Sequence, residues 1–277
     1  MVELLGGADI RQLADALGVV PTKKLGQNFV IDPNTIRKIV ASAKLGPHET
    51  VVEIGPGLGS LTLGLLEVAD KVVSVEIDPK MAAAIEATVA KRAPNANFSL
   101  VSQDAMKVTE LPHNPTALVA NLPYNISVPV LLHFIETFPT LNHGLVLVQS
   151  EVAHRLAAKK GSKVYGSPSA KLAWYADATL AGNVSRNIFW PVPNVDSSLV
   201  YFAKREAPLG TEELREKTFD IIDAAFGQRR KTLRQALADF AGSPAQAEEL
   251  LTKAGISPQA RGEQLDINDF KKIAEQA

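Results

Sequence analysis

From about residue 50 the chain alternates short apolar runs with longer stretches of helical period. Residues 50–55 (TVVEIG), 71–77 (KVVSVEI), 97–104 (NFSLVSQD), 116–121 (TALVAN) and 144–149 (GLVLVQ) have the length and β-branched content of strands. Between them, Ser60 opens a helical LTLGLLEVA, Asp78-Pro79 opens MAAAIEATVAKRA, and VPVLLHFIETF follows the fourth strand. Strands separated by helices of this size form a parallel sheet covered on both faces. Residues 178–190 and 197–205 are two further strands separated only by a proline-rich turn, and strands that close together must pair antiparallel.

An alternating sheet that ends in an antiparallel hairpin predicts a doubly wound α/β fold of the class I methyltransferase type rather than a dehydrogenase. After Arg205 the pattern changes: EAPLGTEEL is linker-like and no strand-length run follows. Periodic segments at 211–226, 229–240, 244–254 and 266–275, punctuated by Gly227, Gly242-Ser243-Pro244 and Gly255, predict four short helices. The expected organisation is a catalytic domain over 1–205, including an N-terminal extension of residues 1–18 with no assignable role, and a small all-α domain over 206–277.

Composition narrows the chemistry. With no cysteine, the chain can have no disulfide framework, thiol nucleophile, iron–sulfur cluster or thiolate zinc site. Its five histidines fall at no metal-ligand spacing, so no metal is expected. The N-terminus lacks the apolar run of a signal peptide, and no segment approaches the ~20 apolar residues of a membrane span. The expectation is a soluble, cytoplasmic, monomeric protein. A net charge of −1 hides three segments of net +4, at 19–44, 151–186 and 226–235, against −13 for the remainder. Lys23, Lys24, Lys159, Lys160, Arg229, Arg230, Lys231 and Arg234 are their candidate phosphate contacts, the last four starting a helix. The same charges would also suit solvated helix faces, or pairing of an arginine with Glu212, Glu216 or Asp223.

Candidate chemistry lies at the ends of successive strands. Glu53-Ile54-Gly55-Pro56-Gly57-Leu58-Gly59 joins a strand to a helix, and its glycines let backbone approach a ligand closely. The dinucleotide fingerprint would require a third glycine at position 60, which is Ser60. G-x-G-x-G with an acid two residues ahead is instead the form associated with S-adenosylmethionine (SAM). Glu76, 21 residues after Gly55, can accept both hydroxyls of a ribose, as acids also do in NAD enzymes. Asp104 can accept from an adenine amine. The fourth strand ends in Asn121-Leu122-Pro123-Tyr124, which is similar to the [DNS]-P-P-[YFW] motif of methyltransferases that modify exocyclic amines of nucleobases. An adenine N6 lone pair is delocalised into the ring. Acceptors from the Asn121 side chain and the Leu122 carbonyl would draw that nitrogen toward tetrahedral geometry, with Tyr124 stacked on the base and Pro123 fixing the backbone.

Taken in order, KLGQNFV at 24–30, EIGPGLGSLT, VEID, QDA, NLPYNIS, F-x-P-x-P-x-V-x-S at 189–197 and FGQRRKTLRQAL at 226–237 resemble the KsgA/RsmA family of ribosomal RNA adenine dimethyltransferases. The resemblance runs from about Pro21 to the C-terminus. It implies SAM as methyl donor and two adjacent adenines near the 3′ end of small-subunit (16S) ribosomal RNA, in an assembling pre-30S particle, as substrate. By the same resemblance Asn28 and Val30 would join Gly55, Gly57, Glu76, Asp104 and Asn121 around SAM, and Phe189 would cover the target base opposite Tyr124. Val30 departs from the family's usual leucine but keeps an apolar contact. Three other readings stay open: a resistance-type enzyme acting on one adenine of large-subunit RNA, a DNA adenine methyltransferase, and a non-catalytic RNA-binding assembly or transcription factor. The basic RRKTLRQAL segment weighs against the first, the lack of a separate DNA-reading domain against the second, and the intact tetrad against the third.

Overall fold

Val51 and Val52, like Val72 and Val73, are consecutive and wholly buried. Successive strand residues point to opposite faces, so both faces of their sheet must be covered. The computed structural model, which describes residues 2–18, 28–123 and 126–277, has that sheet. In chain order its elements begin with α1 (Gly7–Ala16), β1 (Phe29–Val30), α2 (Pro33–Ser42), β2 (Thr50–Ile54) and α3 (Ser60–Leu66). They continue with β3 (Lys71–Glu76), α4 (Pro79–Arg92), β4 (Phe98–Ser102), β5 (Ala117–Asn121), α5 (Ser127–Thr137) and β6 (His143–Gln149). Then come α6 (Ser150–Leu156), α7 (Ser167–Tyr175), β7 (Ala176–Val184), β8 (Phe189–Trp190), β9 (Ser197–Lys204), α8 (Glu212–Gly227), α9 (Leu233–Ala236), α10 (Ala238–Ala241), α11 (Pro244–Lys253) and α12 (Ile267–Ala274).

The sheet order is β4-β3-β2-β5-β6-β9-β7. β4, β3, β2, β5 and β6 are parallel neighbours, while β9 enters antiparallel to β6 with β7 at the edge beyond it. This is the expected class I methyltransferase sheet, and one expected strand divides. Residues 178–190 break at Ser185, whose hydroxyl accepts from Asn187 N and starts a short 3-10 turn. Phe189 and Trp190 then leave the sheet to pair antiparallel with β1.

By contacts the chain forms two compact units, residues 1–153 with 180–204, and residues 154–179 with 205–277. The second unit thus draws on a segment well before the expected boundary at 205. Apolar packing is the reason: Tyr165, Ala170 and Trp174 belong to the core formed by Ile221, Leu233, Leu251 and Phe270. Its expected second helix starts later than the pattern suggested. Residues 228–232 form a turn with Lys231 N bonded to Gln228 O, and Leu233 N reaches Ala260 O to open α9. The helix then breaks at Leu237, which separates α9 from α10.

The N-terminal extension packs on the first unit. Leu5, Ile10 and Ala14 are buried in the same core as Val30 and Ile36. Arg92, on the last turn of α4, holds it polar group by polar group. Its guanidinium donates to Asp9 Oδ1 at 2.7 Å and to Leu4 O at 3.4 Å, and lies 3.6 Å from Glu3. Asp9 Oδ2 in turn accepts from Gly6 N ahead of α1. That backbone bond, with Arg92 adding to it, holds the Asp9 carboxyl below its usual range. The stabilisation is therefore complete above the ordinary carboxylate pKa and is lost as pH falls through the depressed one. Arg92→Ala should destabilise the protein by about 1–3 kcal/mol, because it strips partly buried groups of a charged partner. Chemical denaturation at neutral pH measures this; a loss below about 0.5 kcal/mol would make the clamp an ordinary surface pair.

Candidate active site

Open parallel sheets bind ligands beyond the carboxyl ends of their strands, where the strand order reverses. Here that point is β2, flanked by β3 on one side and β5 on the other. A cavity of about 540 Å³ lies there, within the usual range for cofactor sites. Asn28, just before β1, and Val30 within it line the cavity, as do Gly55 and Gly57 from the turn after β2. Glu76 at the end of β3, Asp104 after β4, and Asn121 and Pro123 at the end of β5 complete the set.

The turn after β2 is shaped by backbone that only glycine adopts readily: Gly55, Gly57 and Gly59 have φ of 66°, 55° and 98°. At Gly57 space matters as well, since a Cβ there would lie 2.9 Å from the Phe29 ring. Phe29 can therefore press onto the turn, and β1 is held across it. Ser60 Oγ donates to Val30 O at 2.7 Å from the start of α3. On the other side β1 pairs with β8, Phe29 opposite Trp190 and Val30 opposite Phe189, with the Phe29 and Trp190 rings stacked. Phe189 is 1% exposed, packed in the core rather than lining the cavity. In this structure it supports β1. The sequence motif marked the position but could not show which way the ring turns.

Four carboxylates line the cavity, Glu53, Glu76, Asp78 and Asp104, and no lysine, arginine or histidine among the described residues does. Glu76 is 8% exposed, and its Oε1 accepts from Asp78 N at 2.9 Å. Burial raises its pKa, while the amides of Asp78, Gly57 and Ile77 pull it back down. Asp104 Oδ1 accepts from Met106 N and caps the short turn at Ala105–Lys107. Glu53 is buried at 1% exposure, where its Oε2 accepts from Thr62 Oγ1 at 2.6 Å and Ser74 Oγ at 2.9 Å. Burial pushes its pKa up to about 7, and nearby Glu76 adds to the rise. Sequence reasoning read Glu53 only as a member of the loop motif. The signal was present: an acid inside TVVEI, a strand otherwise buried, has to be satisfied by something.

At the end of β5, Asn121 Nδ2 donates to Asn28 O at 3.2 Å, which leaves Oδ1 as the acceptor of that amide. Leu122 has a core side chain, 1% exposed, and its N donates to Leu147 O, so only its carbonyl is available for chemistry. Pro123 O accepts from Ile126 N. Tyr124 lies outside the described residues, as do Lys23 and Lys24.

The remaining basic candidates belong to the second unit, and several are already occupied. Lys160 Nζ lies 2.6 Å from Asp266 and 3.3 Å from Asp269. Arg229 donates to Lys163 O at 2.6 Å and to Glu263 at 3.2 Å, joining two of the basic segments. Arg234 Nε sits 2.7 Å from Glu248, an ion pair whose angle falls short of a hydrogen bond. The partners are thus Asp266, Glu263 and Glu248, whereas Asp223 pairs with Lys171. Lys159, Arg230 and Lys231 are exposed and carry no ion pair among the described residues. No group of three or more potential metal ligands occurs among the described residues, and no helix there is long and apolar enough to cross a membrane.

Comparison with known proteins fits this geometry. The sequence model for ribosomal RNA adenine dimethylase matches residues 21–277. The chain is 61% identical over 274 residues to the ribosomal RNA small subunit methyltransferase A of Paenarthrobacter aurescens, covering 98% of this chain and 93% of that one. It is 60% identical to the protein of the same name from Streptomyces coelicolor, covering 98% and 96%. Among solved structures, a dimethyladenosine transferase from Plasmodium falciparum matches with a TM-score of 0.74 at 26% identity, covering 87% of this chain and 94% of that one. The 23S ribosomal RNA methyltransferase ErmE matches with a TM-score of 0.67, also at 26% identity, covering 90% and 98%. A glycine turn, strand-end acids and an oriented asparagine around one cavity, matched over this length, mean that the chain belongs to the ribosomal RNA adenine dimethylase family.

Proposed function

We propose that this protein transfers methyl groups from SAM to the N6 atoms of adenines in small-subunit ribosomal RNA, dimethylating two adjacent adenines near its 3′ end within an assembling pre-30S particle. The observation that carries the reading is Asn121: its amide nitrogen is tied to Asn28 O, so its oxygen faces chemistry as an acceptor beside a cavity lined by acids. That cavity suits SAM. The donor's sulfonium and ammonium are cations, and the described lining supplies carboxylates without a competing cation. When bound, SAM supplies an electrophilic methyl group.

The chain's own groups do the rest. Asn121 Oδ1 and the Leu122 carbonyl accept the two hydrogens of the substrate amine, which localises the nitrogen lone pair. No strong base is required, because the proton becomes acidic once nitrogen carries the new methyl. Glu76 takes the ribose hydroxyls and Asp104 the adenine amine. Ile77, 66% exposed yet part of the lining, gives the purine an apolar surface. Tyr124 is the stacking partner for the target base. The protein works as a monomer in the cytoplasm, its second unit contributing Lys159, Arg230 and Lys231 to phosphate.

Supplying labelled SAM with immature small subunits, naked small-subunit RNA, large-subunit RNA or DNA tests the substrate assignment. Transfer confined to the small-subunit material is expected. Preference for large-subunit RNA would favour the resistance-type reading, to which the likeness with ErmE points.

Asn121→Ala should lower kcat by roughly 100-fold or more while SAM affinity stays within a few-fold, since the lost acceptor matters most in the transition state. Turnover near the parent rate would remove N6 activation from the scheme. Glu76→Ala should do the reverse and weaken SAM binding by roughly one to two orders of magnitude. Hydrogen bonds to a charged group are worth about 1.5–3 kcal/mol each, and titration would reveal the loss of even one.

The basic residues divide by pairing. Reversing Arg230 and Lys231 to Glu should weaken particle binding and flatten its log–log salt slope by roughly 0.7–0.9 per lost phosphate contact, with little change in Tm. Arg229→Ala should instead lower Tm, because it releases Lys163 O and Glu263. Thermal melts and salt titrations on both variants separate the roles; a parental salt slope in the double variant would take these residues off the RNA.

A further inference from the structure

Glu53 has no part in the scheme above, yet it is the most deeply buried carboxylate of the cavity wall. Its two hydrogen-bond donors, Thr62 Oγ1 from α3 and Ser74 Oγ from β3, are both neutral. A buried carboxylate partnered only by hydroxyls is costly to ionise. Among the described residues Glu76, on the neighbouring strand, is the charged group that acts on it, and its sign is the same. Asp78 and Asp104, also on the wall, add negative charge to the cavity. These surroundings disfavour the ionised form, and burial puts the Glu53 pKa at about 7. A cation entering this space reverses the balance, because the ionised form then gains an opposite charge in a poorly screened setting.

The two forms of the cofactor differ in that one respect. SAM carries a sulfonium, and the demethylated product carries a neutral thioether. Resting on the SAM reading above, we propose that Glu53 is a specificity-determining residue that ionises when SAM binds and so favours the charged donor over the spent product. Methyl transfer removes the sulfonium and leaves the ammonium that both forms share, so the pull on Glu53 weakens and the product leaves a site readier to take its proton back. The residue acts through charge rather than through shape. Thr62 and Ser74 set how readily it responds: each stabilises the ionised form by one hydrogen bond without neutralising it.

The sign of the linkage is fixed. If binding releases a proton, SAM affinity rises with pH, by up to about tenfold per unit below about 7, and levels off above. Affinity for the demethylated product changes less over the same range. Isothermal titration of the full-length protein with each compound, near pH 7 in buffers of different ionisation enthalpy, counts the protons directly. Net release with SAM, less with the product, and no such difference in Glu53→Gln is the expected result. Ser74→Ala keeps the carboxylate and removes one donor, so the midpoint of the pH profile should move upward; this variant serves if Glu53→Gln does not fold. SAM binding without proton release, release unchanged in Glu53→Gln, or an unmoved midpoint in Ser74→Ala overturns the proposal. Failure of the parent protein to bind SAM at all would instead overturn the cofactor reading on which it rests.

Discussion

The parallel pairing of β2 with both β3 and β5 is the constraint on which the rest of the first unit depends. Register places Ile54 opposite Val75, and the next amide, Gly55 N, still bonds to Val75 O before the chain turns away. On the other side β5 runs from Val51 and Val52 toward its end at Asn121. Because the strand order reverses at β2, the connections on its two sides leave in opposite directions and a crevice opens between them. The glycine turn, the acids after β3 and β4, and the asparagine after β5 share that crevice because their strands share a sheet. Phe29 and Ser60 then bring β1 across the turn and close the wall.

The polar groups of that wall are held by neutral partners. Backbone amides hold Glu76 and Asp104, hydroxyls hold Glu53, and a backbone carbonyl holds Asn121. Each group is fixed in orientation without its charge or its free lone pair being consumed. In the second unit the pattern is opposite: Lys160, Arg229 and Arg234 meet carboxylates, so their charge is spent within the fold and serves to organise it.

Much of this was legible in the chain because it is local. Gly55 and Gly57 announce a turn, and Glu76, Asp104 and Asn121 sit where a strand pattern stops, so position along the sequence maps directly onto position at the sheet end. Other features depend on partners far along the chain. The extension before Leu17 has its apolar residues on one face of a short helix, but what fastens it is Arg92, 83 positions after Asp9. Phe189 looks like the end of a strand, and only the pairing with β1 shows that it belongs to a different sheet. Arg229 reads as one of four clustered cations, and its partners lie 34 and 66 residues away. Period and composition carry no information about separations of that kind.

The route of the chain between the two units has a consequence for its synthesis. Residues 154–179 leave the first unit and 180–204 return to it, and β9 completes the pairing with β6 before α8 to α12 have been made. Emerging from the N-terminus, the first unit can therefore close its sheet while Tyr165, Ala170 and Trp174 still wait for Ile221, Leu251 and Phe270. During that interval an apolar loop hangs from a finished domain. A chain released at residue 205 would keep the sheet and carry that loop permanently uncovered, an invitation to association. The helical unit is not a cassette that can be cut at the linker: excised at 206, it would lack Tyr165 and Trp174, two of the aromatic side chains buried in its own interior.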